Sequence, residues 1–142
     1  MNLAEFQGND IRPTADRVKE SLFNILAAKV AGASVLDLFC GSGNLGIECL
    51  SRGARCVHFN DISAGSIAVL KKNLSRLRGE VFTVTRADWR ECLYAAKQPF
   101  DIVFIDPPYA EDCGIYALEL LSKRGLLSGG GVAVYARDRA FE

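Results

Sequence analysis

Apolar positions along this chain follow two rhythms, one suited to buried strands and one to amphipathic helices. Val35-Leu36-Asp37-Leu38-Phe39 is a short, mostly apolar run of the buried-strand type, closed by the turn signal of Gly41, Gly43 and Gly46. Leu45, Cys49 and Leu50 then share one side of a helix that ends at Arg52-Gly53, where glycine supplies the C-cap. Upstream, Val18, Leu22, Ile25 and Leu26 fall at i, i+4, i+7 and i+8, which predicts an amphipathic helix. Arg12-Pro13-Thr14 marks its start, with Thr14 as N-cap and Asp16 in the first turn. The polar face of that helix, Arg17, Lys19 and Glu20, reads as solvated. Residues 1–11 show no periodicity and read as a loose lead-in.

Downstream the rhythms alternate. Arg55–Asn60 is a second strand ending at Asp61, and a helix follows from Ser63 through Ile67, Leu70 and Leu74. Glu80–Thr85 is a third strand with Asp88 just beyond it, and Trp89–Lys97 a helix. Phe100–Ile105 is a fourth strand, Glu111–Lys123 a helix and Gly131–Ala136 a fifth strand. Strands alternating with helices predict an α/β fold: a mostly parallel sheet, right-handed crossovers and helices on both faces. A length of 142 residues suits a single domain over residues 1–142. His58, the lone histidine, alternates within the second strand and reads as a structural polar residue.

Composition narrows the classes. Hydrophobic residues make up 49% and charged residues 24%, so the chain is globular rather than disordered. With 17 basic against 17 acidic residues, the chain offers no strong overall electrostatic grip on nucleic acid. Cys40, Cys49, Cys56, Cys92 and Cys113 form no C-x-x-C pair, and several sit in apolar surroundings and read as reduced core residues, with no metal site expected. No signal peptide or bilayer-length apolar run is visible, so the expected location is the cytoplasm, with no membrane partner.

Strand, glycine turn, helix is the layout of a nucleotide-binding loop. Gly41-x-Gly43-x-x-Gly46 fits the dinucleotide fingerprint, and Asp61 lies 20 residues after Gly41, where that motif places its ribose acid. Asp37, however, stands inside the strand, four residues before Gly41. A carboxylate there opposes a pyrophosphate and favours the sulfonium and ammonium of S-adenosylmethionine. Acids recur at strand ends: Asp61 can accept both ribose hydroxyls, and Asp88 the adenine amino group. Each alone could be an ordinary turn residue. With Phe39 and Ser42 beside the glycines, Ile62 after Asp61 and Trp89 after Asp88, these residues make up the expected cofactor contacts.

Asp106-Pro107-Pro108-Tyr109 is the most specific stretch. The prolines hold the loop stiff and leave its carbonyls free to accept. An amine on an aromatic base is a poor nucleophile, and hydrogen bonds from it to Asp106 and a proline carbonyl favour a more pyramidal nitrogen. Tyr109 offers a ring for stacking an extruded base, worth about 1–3 kcal/mol. Asp106, Pro107, Pro108 and Tyr109 are thus the expected catalytic residues.

RPTADRVKESLFNIL (12–26), DLFCGSGNLGIECLSRGA (37–54) and FDIVFIDPPY (100–109) together resemble the RsmD-type bacterial 16S ribosomal RNA guanine-N2 methyltransferases. The first block discriminates, since the other two are widespread among class I methyltransferases. The resemblance runs from about Arg12 to Arg139. It implies a Rossmann-like fold, S-adenosylmethionine as donor, methylation of an exocyclic guanine amine, and ribosomal RNA in a partly assembled small subunit as partner. By position it puts Asp37, Gly41 and Gly43 in the cofactor loop, Asp61 and Asp88 at ribose and adenine, and Asp106 to Tyr109 in the catalytic loop. Three features depart from the family pattern. Asp61 stands where glutamate is usual, only eleven residues precede Arg12 where a basic β-hairpin is usual, and a closing antiparallel pair is not evident before Glu142. The outer sheet edge is therefore expected to be exposed or covered by another copy. Two other readings stay open: an adenine-N6 methyltransferase acting on DNA or RNA, and a truncated module that binds cofactor or partner without turnover.

Overall fold

The computed structural model describes the backbone of residues 2–8, 12–108 and 113–138. Its elements are β1 (Asn2–Gly8), α1 (Arg12–Val30), β2 (Ser34–Asp37), α2 (Asn44–Ser51), β3 (Cys56–Asp61) and α3 (Ala64–Leu74). β4 (Phe82–Arg86), α4 (Trp89–Ala95), β5 (Phe100–Ile105), α5 (Cys113–Lys123) and β6 (Leu127–Asp138) complete it. The sheet runs β1-β6-β5-β2-β3-β4, and every pairing among the described residues is parallel.

Strand alternation divides the apolar residues into two layers. Val35, Ile102, Phe104, Val132 and Val134 point into one layer, where α1 adds Leu22, Phe23 and Leu26, α2 adds Cys49 and Leu50, and α3 adds Ile67, Leu70 and Leu74. Their neighbours Leu36, Val103, Ile105 and Ala133 point the other way, against Trp89, Cys92 and Leu93 of α4 and Ala117 and Leu121 of α5. A strand buried on both faces has no polar side to show, which is why β5 reads as a continuous apolar run.

The sheet grows outward from β2 through β3 to β4, then returns to β2's other side for β5 and β6. The order therefore reverses between β2 and β5, opening a crevice beyond their carboxyl ends.

Several expectations need correction. Asn2–Gly8 is a strand rather than a loose lead-in; it pairs with β6 from Asn2↔Val132 to Gly8↔Asp138. Its partner's unpaired backbone groups drive that pairing, which leaves no side-chain periodicity to read. β1 thereby covers the β6 edge that was expected to be open or shared with another copy. α1 begins at Arg12, so Thr14 and Asp16 lie inside the helix rather than at its cap. Pro13 falls in the first turn, where a missing N–H costs little. β6 starts at Leu127, ahead of the expected Gly131, because a register irregularity between Phe100 and Ile102 lets the strand pair again on either side of it.

Candidate active site

A cleft of about 850 Å³ lies at the carboxyl ends of β2, β3, β4 and β5. Asp37, Phe39, Gly41, Ser42, Asp61, Ile62, Asp88, Trp89, Asp106, Pro107 and Pro108 all line it. Of the residues expected at the site, Gly43 is not among the lining residues, and Tyr109 lies outside the described residues.

The three loop glycines have different tasks. Gly41, at φ 54°, has open space where a side chain would stand, and its N–H donates to Asp61 Oδ2 at 2.9 Å. Gly43 takes φ 89° as the N-cap of α2, and a Cβ there would meet Leu70 Cδ1 at 2.3 Å. Gly46 serves packing: a Cβ would stand 2.4 Å from the Phe59 ring, so its absence lets α2 lie close on β3. Gly46 N–H also donates to Asp37 Oδ2 at 3.0 Å.

The acids differ in environment. Asp37 is 2% exposed, and burial, opposed by the Gly46 hydrogen bond and reinforced by the charges of Asp106 and Asp61, pushes its carboxyl up to about 7. Asp106 opens to the cleft, yet the protein around it withholds enough water to raise its carboxyl to about 6. Asp61 accepts from Gly41 N–H through one oxygen and from Ser63 N–H, at 2.9 Å, through the other. Asp88 caps α4 by accepting from Arg90 N–H at 2.9 Å, and the Arg90 guanidinium lies 4.5 Å from the centre of the Trp89 ring. Each carboxylate oxygen has a second lone pair, so Asp61 and Asp88 keep acceptor capacity toward the cleft. Ile62 adds an apolar wall and is 62% exposed.

Two residues escaped the sequence reading. Asn60 is buried; its Nδ2 donates to Leu38 O at 3.2 Å and Ala87 O at 3.0 Å, and its Oδ1 accepts from Thr85 Oγ1 at 2.6 Å. It thus ties the cleft ends of β2, β3 and β4 together, and a polar residue beside Asp61 at a strand end was its only signal. Lys19, expected on a solvated face, lines the cleft instead. Its Nζ donates to Asn44 Oδ1 at 2.9 Å and stands 3.3 Å from Glu48 Oε1. Its place in the discriminating block 12–26 was the available hint. His58 does not line the cleft: its ring nitrogens meet Thr83 and Thr85 hydroxyls, a structural role, and burial lowers its pKa.

This donor set has a clear chemical preference. Three carboxylates, Asp37, Asp61 and Asp106, line the cleft together, and for Asp37 and Asp106 desolvation disfavours the charged form unless a cation arrives. Among the described residues no cluster of His, Cys, Asp or Glu could hold a metal ion, and no helix is long and apolar enough to cross a membrane. The site fits an organic cation carrying a ribose better than a pyrophosphate.

Comparison with known proteins agrees with this architecture. The YlbH protein of Bacillus subtilis (strain 168) is 39% identical over 145 residues, covering 99% of this chain and 79% of that protein. Ribosomal RNA small subunit methyltransferase D of Haemophilus influenzae is 40% identical over 123 residues, covering 82% of this chain but 63% of that protein. The solved structure of yhhF from Escherichia coli superposes with a TM-score of 0.75 at 36% identity, covering 80% of this chain and 64% of that one. The fold is thus the Rossmann-like α/β fold of class I methyltransferases. The family described as Conserved hypothetical protein 95 matches residues 1–142, and the chain belongs to that family, the RsmD family whose three sequence blocks it carries.

Proposed function

We propose that this protein transfers a methyl group from S-adenosylmethionine to the exocyclic N2 amine of a guanine in small-subunit ribosomal RNA, with the RNA presented in a partly assembled subunit. The observation that carries the reading is the convergence of Asp37, Asp61 and Asp106 on one cleft, with Pro107 and Pro108 continuing from Asp106 along its wall. The Haemophilus relative's name supports methyl transfer to ribosomal RNA, and the block 12–26 supports guanine.

Bound S-adenosylmethionine would supply a methyl group activated by its sulfonium. Asp37 would supply buried negative charge to offset that cation. Asp61 accepts from the ribose hydroxyls and Asp88 from the adenine amine, between the apolar surfaces of Ile62 and Trp89. Asp106 and the Pro107 carbonyl accept the two N–H groups of the target amine and aim its lone pair along the line of attack. Once the amine has taken the methyl group it would carry one proton too many, and Asp106, whose carboxyl burial pushes up to about 6, would accept it. Much of the rate then comes from positioning. Tyr109 offers its ring for stacking the extruded base.

The test is labelled methyl transfer to partly assembled small subunits, followed by digestion to nucleosides. The expected product is N2-methylguanosine; N6-methyladenosine would overturn the base assignment. Asp106→Ala should lower transfer by ~10²–10³ while S-adenosylhomocysteine affinity stays within about threefold. Parental rates from Asp106→Ala would remove this loop from the chemistry. Cofactor binding without transfer to any RNA or DNA would make the chain a binding module.

A further inference from the structure

We propose that Lys19 is the counter-ion for the carboxylate at the amino-acid end of the bound cofactor, fixing that tail over the start of α2; this rests on the S-adenosylmethionine reading above. The cleft is acidic where β2, β3 and β5 end, at Asp37, Asp61 and Asp106, so a carboxylate entering there meets repulsion. Among the described lining residues the cations are Lys19 and Arg90. Arg90 stands at the far side on α4, 3.7 Å from Asp88 and over the Trp89 ring. Lys19 reaches from α1 to Asn44, the first residue of α2.

Three further observations aim an anion at Lys19. Its ammonium has three N–H donors, and described residues take two of them, Asn44 Oδ1 at 2.9 Å and Glu48 Oε1 at 3.3 Å. Glu48 also takes Arg52 Nε at 2.7 Å, so one carboxylate serves two cations and the trio carries net positive charge. Gly43 gives α2 no side-chain cap, and although the first-turn Gly46 N–H goes to Asp37 Oδ2, the positive end of the helix dipole at Asn44, Lys19's own partner, faces the same space. The tail carboxylate therefore lies at the α1–α2 side and the adenosine extends toward Asp61 and Asp88. The cofactor's ammonium and sulfonium then fall nearer the acids, and each charge meets its opposite.

Calorimetric titration of the full chain, Lys19→Met and Lys19→Arg with two ligands tests this. S-adenosylhomocysteine carries the amino-acid tail; 5′-methylthioadenosine shares the adenosine and sulfur but lacks both carboxylate and ammonium. Lys19→Met should bind S-adenosylhomocysteine at least about tenfold more weakly, the loss of one charge-assisted hydrogen bond. Methylthioadenosine affinity should stay within about twofold, and Lys19→Arg should recover most of the difference. Equal losses for both ligands would reduce Lys19 to a brace between α1 and α2 and overturn the proposal. So would unchanged S-adenosylhomocysteine affinity with weakened RNA binding, which would make Lys19 a phosphate contact. If the parent binds neither ligand, the cofactor reading itself fails; if the parent binds S-adenosylhomocysteine and Lys19→Met matches it, only this assignment fails.

Discussion

Buried and given one hydrogen bond by Gly46, Asp37 sets stability against binding. Its native pKa of about 7 lies above the ordinary carboxylate value of 3.8. Between those values the native chain holds a proton that the unfolded chain has lost, so stability falls as pH rises from about 4 to 7 and the full cost remains above 7. Asp37→Asn keeps an acceptor for Gly46 but no charge. It should therefore melt at a higher temperature than the parent at pH 8, with the gap closing at pH 5, and should bind S-adenosylmethionine more weakly. Equal melting at both pH values would show that Asp37 is not strained by its burial. Asp37 and Asp106 repel one another, so their protons leave in two separate steps that belong to the pair rather than to either residue. Affinity for a cationic cofactor should accordingly rise between pH 6 and 8, by up to about tenfold per unit for each proton released, as calorimetry in buffers of differing ionisation heat can record. Asp61→Ala removes the ties to Gly41 and Ser63 and, with them, the proposed ribose contact. S-adenosylhomocysteine affinity should drop at least about tenfold, and unchanged affinity would place the ribose elsewhere. The acids were legible because alternation marks where strands end. Lys19 and Asn60 were not, because their partners, Asn44 and Glu48 for one and Leu38, Ala87 and Thr85 for the other, are distant in sequence.

Elements were legible in proportion to how much of their stability comes from side-chain burial. β5 stands at the expected Phe100–Ile105 because four of its six residues are buried and its ends are polar or proline-bounded. α3 starts one residue after Ser63, whose hydroxyl caps it by accepting from Ser66 N–H at 3.1 Å. β1 was illegible, since a strand recruited by a neighbour's backbone needs no pattern of its own. The glycine loop was half legible: the sequence shows three glycines, but not that Gly46 faces a ring rather than a ligand. Its role gives a test at this scale. Gly46→Ala forces a methyl to within 2.4 Å of Phe59, in a layer closed by Val57 behind it. α2 must move off β3, at a cost of roughly 1–3 kcal/mol, and the melting temperature should fall by several degrees. The displaced helix carries the Gly46 N–H away from Asp37, so cofactor affinity should fall with it. A variant that melts with the parent would mean that Phe59 can swing aside freely.

At the scale of the whole molecule, the sheet separates the cleft from its outer edge. The cleft residues come from the carboxyl ends of β2 and β3, the segments that follow β2–β5, and helices α1 to α5, whereas among the described residues β1 pairs only with β6. Removing residues 1–8 therefore deletes a seven-residue ladder and exposes one side of a strand running from Leu127 to Asp138. An unpaired edge of that length is a template for another chain. The shortened protein should melt at a lower temperature than the full chain and self-associate in a concentration-dependent way, measured by size-exclusion chromatography with light scattering. Its affinity for S-adenosylhomocysteine should remain within about threefold of the full chain's, because the switch point between β2 and β5 is untouched. A shortened chain with parental melting and parental elution would show that β1 adds nothing to the sheet. A large loss of affinity in a protein that is still folded would show instead that the edge strand is coupled to the cleft through β6 and β5, and that the two halves of this sheet do not act independently.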